Sequence, residues 1–391
     1  MHNSLKEWFK TTLEKTDPCE LNFLMTTGQE IAPLPSTTRH HLLWFAANEN
    51  QLEALQLVLS STKDINTPIF GFGETALHAA SRKGHVAIMT ALMEAGANLE
   101  VKNVEGKTAL HLAAQSQKIE AVKTLIAKGA LVNVLDRQLR IPLHDTNNDT
   151  IAMFLVLKGA NIAAQDMYGN TTLHFAAAYN LPELTKLLLA QNQPITTNVS
   201  NETPLHLAAG HHPSLTLPLL IDKCAIETKT RQGLTAVQYA AATGSLSSIY
   251  ALCAKGATVE MLDPQQQTLP HLLALAPKLK GELAPLHPLL LRCAVNARDK
   301  QGWTALHLAA RLNRPAMISA LLAAGAQSTL VCHNKTALDL AFEPETRDLL
   351  TQNAHKVSRA AAQISFSQTE PPKIPAALPA TTSNRVAVAH S

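Results

Sequence analysis

Seventeen histidines and five cysteines are the side chains of this 391-residue sequence best suited to hold a metal or to act as acid, base or nucleophile. Their spacing argues against all of these. His78, His111, His144, His174, His206, His271 and His307 each close the same kind of tetrad, as in Thr75-Ala76-Leu77-His78 and Thr304-Ala305-Leu306-His307. A series spread this evenly gives each histidine to its own copy of one unit, whereas a metal needs its ligands gathered. His211-His212 has neither an H-E-x-x-H spacing nor a cysteine or carboxylate partner. The cysteines are odd in number and contain no C-x-x-C pair, which excludes a disulfide framework and a zinc ribbon. Cys224 and Cys293 each precede an alanine at one phase of the repeat and Cys253 falls among apolar positions, while Cys19 and Cys332 come with no base to activate them. Gly71-Phe72-Gly73 does not continue as a phosphate-binding loop, and neither a kinase motif set nor a G-x-S-x-G elbow is present. No catalytic residue, metal ligand or cofactor is therefore expected.

The elements behind this regularity are short helices. Clear tetrads start at Thr75, Thr108, Thr171, Thr203 and Thr304, and weaker ones at His41, Ile141, Thr235, Thr268 and Thr336. The ten starts are separated by 34, 33, 33, 30, 32, 32, 33, 36 and 32 residues. A Gly-Ala pair follows 21 residues later at Gly96, Gly129, Gly256 and Gly325. The threonine hydroxyl suits the N-cap of a first helix, and the glycine suits the left-handed end of a second. Helices this short cannot bury an apolar face alone, so they must stack. Two units break the spacing. Only 18 residues separate Ile141 from Gly159, so the fourth unit must lose residues from its helices; the eighth has 25 from Thr268 to Cys293 and the prolines Pro270, Pro277, Pro285 and Pro288, which disfavour a regular second helix.

From roughly Arg39 to Leu350 these units resemble ankyrin repeats, whose period and T-P-L-H signature they share. The resemblance implies an all-α solenoid of stacked helix pairs with hairpin fingers, in which the tetrad histidine hydrogen-bonds between turns of adjacent units. It also implies a binding surface at the finger tips and the ends of the first helices. Carried over unit by unit, that selects Phe72, Arg82 and Lys83; Arg137; Met167, Tyr168 and Tyr179; His211; Arg231; and Trp303 and Arg311. Met167, Tyr168 and Tyr179 would form an aromatic anchor flanked by Arg137 and Arg231 from adjacent fingers, suited to an acidic, partly apolar peptide or helix.

The three expected regions are an N-terminal helical cap at 1–38, the array at 39–350, and a flexible tail at 351–391. Two capping boxes, at Ser4-Leu5-Lys6-Glu7 and Asp17-Pro18-Cys19-Glu20, place two short helices in the first region, with Leu5, Trp8, Phe9 and Leu13 on one face. The last region is rich in Pro, Ala, Thr and Ser from Ser367 onward. A formal charge of +3 supplies no field for nucleic acid, and no stretch reaches the length that inserts in a membrane. The expected role is a non-catalytic protein–protein interaction scaffold or adaptor in the cytoplasm. Two alternatives stand beside it. One is a secreted effector of an intracellular bacterium, acting on a host protein in the host cytosol, as the small-residue C-terminus suggests; the other is an enzyme with its site in the irregular fourth or eighth unit.

Overall fold

The computed structural model describes residues 36–69, 71–277 and 286–367. The expected N-terminal helices, Cys19, Pro285 and the sequence after residue 367 lie outside the described residues. Twenty helices occur among those described, and the chain divides into two compact units, Met1–Leu279 and Lys280–Ser391.

In the first unit the first helices of successive pairs are α1 (Ser36–Asn48), α3 (Ala76–Lys83), α5 (Ala109–Gln115), α7 (Pro142–Asp145), α9 (Thr172–Ala178), α11 (Pro204–Ala209), α13 (Ala236–Thr243) and α15 (Leu269–Leu275). Each packs against the next in one row. The second helices are α2 (Leu52–Ser61), α4 (Val86–Glu94), α6 (Ile119–Ala127), α8 (Asp149–Leu157), α10 (Pro182–Ala190), α12 (Leu217–Leu220) and α14 (Leu246–Ala254). Those from α2 to α12 form a second row. The high alanine content has its reason here. Ala79-Ala80, Ala113-Ala114, Ala176-Ala177, Ala208-Ala209 and Ala240-Ala241 are fully buried, and only a methyl side chain lets first helices approach this closely. Leucines such as Leu92, Leu125, Leu155, Leu188 and Leu252 fill the space between the rows.

Each regular first helix starts the same way. Thr75 takes extended backbone angles, its N–H donates to His78 Nδ1 at 3.1 Å, and the ring's Nε2–H donates to the Lys107 carbonyl of the next unit at 3.1 Å. Thr108 with His111, Thr171 with His174 and Thr203 with His206 repeat the arrangement. It is a capping box in which histidine stands where glutamate or glutamine is usual. The thirteenth helix shows the usual form, because Gln238 Oε1 accepts from Thr235 N–H at 2.9 Å and its Nε2 donates to the Met261 carbonyl at 2.8 Å.

Two pairs depart from this plan. In the fourth, α8 keeps nine residues like α6 and α10, so the shortening falls on α7, which has four. In the sixth, α12 also has only four, a departure signalled in the sequence by Pro213 and Pro218.

The second unit holds α16 (His287–Leu290), α17 (Ala305–Arg311), α18 (Pro315–Ala323), α19 (Ala337–Leu340) and α20 (Pro344–Ser367). Thr304 caps α17 with Oγ1 2.7 Å from His307 Nδ1, and Thr336 caps α19 with Asp339 as the box partner. The sequence reading began a flexible tail at residue 351. α20 runs from Pro344 to Ser367, across that position, with Thr346 and Leu350 buried near its start.

Candidate protein-binding surface

Between one helix pair and the next the chain makes a short finger, and one polar residue builds it. Asn103 Oδ1 accepts from the N–H groups of Glu105 and Lys107, both at 2.9 Å, folding 103–107 into a hairpin closed by Asn103 N–H to the Lys107 carbonyl at 3.0 Å. Asp136, Asp166, Asn198, Asp263 and Asp299 do the same. Each stands five residues before a tetrad start, a landmark as regular as the glycine that the sequence reading passed over. The third residue after it has positive φ, which Gly106 and Gly169 adopt without strain.

Consecutive fingers of the first unit are stitched together by single backbone bonds. Val104 N–H donates to the Phe72 carbonyl, Arg137 to Glu105, Met167 to Gln138, Val199 to Tyr168, and Arg231 to Ser200, all between 2.7 and 3.0 Å. Pro264 takes the next position and has no N–H to give, so the ladder stops there. The ladder fixes the spacing of exposed side chains. Val104, Met167, Tyr168 and Val199 are 43%, 52%, 45% and 46% exposed, and Arg137 and Arg231 are exposed beside them.

The structure therefore brings Phe72, Arg137, Met167, Tyr168 and Arg231 into one row. It corrects the neighbourhood of the anchor: the finger at 198–202 lies between Tyr168 and Arg231, so Arg137 is on the adjacent finger and Arg231 on the next but one. Tyr179 caps the end of α9, its ring centroid 6.1 Å from that of Phe175, and burial raises its phenol pKa. Lys83 is exposed in the last turn of α3. Two chosen residues are engaged internally. Arg82 pairs with Glu74 of its own finger, and His211 Nε2 donates to the Ala178 carbonyl at 2.6 Å. Val104 and Val199 were missed because valine alone carries no signal; their place in the ladder supplies it. In the second unit, Trp303 lies 5.7 Å from the Arg311 guanidinium and 5.3 Å from the His333 ring.

The family model for ankyrin repeats matches this chain in three copies, at residues 43–136, 143–226 and 273–359, together well over half its length. The chain belongs to the ankyrin-repeat family. It is 31% identical over 245 residues to the B-cell lymphoma 3 protein homolog of Mus musculus, covering 59% of this chain and 53% of that protein. Rabankyrin-5 of Mus musculus is 27% identical over 214 residues, 49% of this chain and 18% of the relative. Palmitoyltransferase ZDHHC13 of Homo sapiens is 34% identical over 203 residues, 50% of this chain and 32% of the relative. The chain thus spans about half the length of the first of these relatives and less of the others. Ankyrin repeats are protein-interaction modules and are generally non-catalytic.

The fourth ankyrin unit carries a cluster of buried charge. The Asp145 side chain is 2% exposed, with Lys107 Nζ at 3.6 Å and Arg140 Nη1 at 3.9 Å from Oδ1, and Arg140 Nε lies 3.8 Å from Asp166 Oδ2. Burial raises the Asp145 carboxyl to about 6 against the pull of Lys107. Phe175 fills the space beside the shortened helix, stacked on the His144 ring at 4.7 Å with the Arg140 guanidinium 5.6 Å from its centroid. This ionic network ties the fingers at 103–107, 136–140 and 166–170 to one another through Asp145 and Arg140. No group of three or more His, Cys, Asp and Glu among the described residues is arranged to hold a metal, and no described helix is long and apolar enough to cross a membrane.

Proposed function

We propose that this ankyrin protein is an adaptor of ten units, irregular at the fourth, sixth and eighth, that holds a protein partner along its finger row without turning it over. The observation that carries this reading is the backbone ladder, which presents large apolar and aromatic side chains, Val104, Met167, Tyr168 and Val199, at fixed spacing with Arg137 and Arg231 among them. Surfaces of this make-up bind through a few desolvated anchors, and tyrosine and arginine are prominent among such anchors. The partner is an acidic, partly apolar peptide or helix. Acidic groups would meet the arginines, and apolar groups would cover Met167 and Tyr168. The cysteine composition favours the cytoplasm as the setting. Panning a random peptide library on the full chain is the test. Enriched sequences should combine Asp or Glu with large apolar residues and lose binding to a Tyr168→Ala/Tyr179→Ala variant of unchanged circular dichroism. Enrichment of basic sequences, or binding indifferent to that variant, would overturn the proposal.

A further inference from the structure

The second helices α6, α8 and α10 are each nine residues long and pack as neighbours in the second row. On α6 and α10 the outward positions are occupied by ion pairs, Glu120 with Lys123 at 2.8 Å and Glu183 with Lys186 at 2.7 Å. The corresponding positions of α8 hold Thr150 and Met153, and Phe154 and Leu157 continue the same face. Leu157 is 79% exposed, an extreme value for a leucine on a helix. Leu131, 60% exposed, lies on the loop joined to the end of α8 by Asn133 Nδ2 donating to the Gly159 carbonyl. This apolar stripe stands on the second-helix row, whereas the proposed partner site is on the fingers, so the two are separate features.

We infer that α8 is a self-association face on which a second copy of this chain packs antiparallel about a two-fold axis passing between Met153 and Phe154. The charge pattern selects this occupant and this direction. The patch is acidic at its N-terminal edge, through Asp149, whose carboxylate also accepts from Glu183 N–H at 3.3 Å and Leu184 N–H at 2.9 Å, and through Glu120, which also pairs with Lys123; it is basic at its C-terminal edge, through Lys158 and Lys128. An antiparallel two-fold sets Met153 against the other copy's Phe154 and Thr150 against its Leu157. It also brings Asp149 toward the other copy's Lys158 and Glu120 toward its Lys128. A parallel arrangement would stack like charges on each other. Two-fold association of this kind needs a self-complementary patch, and the opposed edges provide one. The face is small, so the dimer forms reversibly with concentration.

Sedimentation velocity of the full chain over the micromolar range tests the inference. The expected result is a concentration-dependent monomer–dimer equilibrium, weakened at least tenfold by Leu157→Asp. Glu120→Lys alone should also weaken it, and Glu120→Lys with Lys128→Glu should restore it; both residues are exposed, so neither change threatens folding. Tyr168→Ala should leave the equilibrium untouched, which separates this result from the fate of the finger site. A chain that stays monomeric throughout, associates equally well with Leu157→Asp, or is not rescued by the charge exchange would overturn the inference.

Discussion

The third and fourth ankyrin units are neighbours built from nearly the same landmarks, yet they are held by different chemistry. In the third, His111 joins a complete set of bonds: Nδ1 accepts from Thr108 N–H at 3.2 Å and Nε2–H reaches the Arg140 carbonyl at 3.2 Å. In the fourth, Ile141 replaces the threonine. His144 Nδ1 is left buried without a hydrogen-bond partner, and its Nε2 meets the Thr172 hydroxyl at 3.2 Å. The first helix ends after four residues and the Asp145, Lys107 and Arg140 cluster takes over the contact between fingers. Loss of one hydroxyl and three residues thus moves the junction from directed hydrogen bonds to ring stacking and buried charge.

Acid should expose what the two units still share. Burial holds His78, His111 and His144 down at about 4, from an ordinary 6.5. The unfolded chain takes up these protons near pH 6.5 and the folded chain only near 4. Stability is therefore full above pH 6.5 and falls as the pH drops to 4, by on the order of 3 kcal/mol per histidine. Asp145 works the other way. Its carboxyl is raised from 3.8 to about 6, so its contribution is present below pH 3.8 and lost as the pH rises through 6. The histidines outnumber it, and urea midpoints of the whole chain should fall from pH 7 to pH 4.5. Gln238 already performs the histidine's task without titrating. His78→Gln/His111→Gln should accordingly hold its midpoint near neutral pH and lose much of the acid slope.

At constant pH, single substitutions separate the third unit from the fourth. His111→Ala removes a cap and a bond between units and should cost about 3 kcal/mol, against about 1 kcal/mol for His144→Ala, whose ring makes fewer bonds. Paired urea melts followed by circular dichroism would read the difference. Leu139 occupies the finger position with φ +59° that glycine takes at Gly106 and Gly169. Leu139→Gly should therefore raise stability by about 1 kcal/mol, where glycine in an ordinary helix would lower it. Ile141→Thr would return a hydroxyl to His144 while giving up a buried side chain; the two effects oppose, and the melt should move by less than about 1 kcal/mol.

Much of this architecture was legible because its landmarks answer local backbone demands. A threonine that caps, a histidine that returns the bond and a glycine with positive φ each act within a few residues, so their spacing alone revealed the units. The finger residue from Asn103 to Asp299 acts just as locally and was legible in the same way, but it varies among Asn, Asp and, at Thr230, Thr, and so lacks a single-letter signature. Other features depend on distant partners. Asp145 gains its meaning from Lys107, on the preceding finger at 103–107, and Leu157 from the ion pairs on the helices either side. The order of the fingers was readable but miscounted at Arg231, since the finger at 198–202 carries no aromatic or arginine to draw notice. The helix from Pro344 to Ser367 was hidden by a composition of small and polar residues that also suits a tail.

The finger row from Phe72 to Arg231 is the proposed seat of the protein partner. Titration calorimetry of the full chain with a protein captured on it, repeated with Tyr168→Ala/Tyr179→Ala and with Arg137→Glu/Arg231→Glu, tests it most directly. Affinity should be at least tenfold weaker in both variants with unchanged circular dichroism, as removal of interface anchors requires. Equal affinity across all three proteins would contradict it.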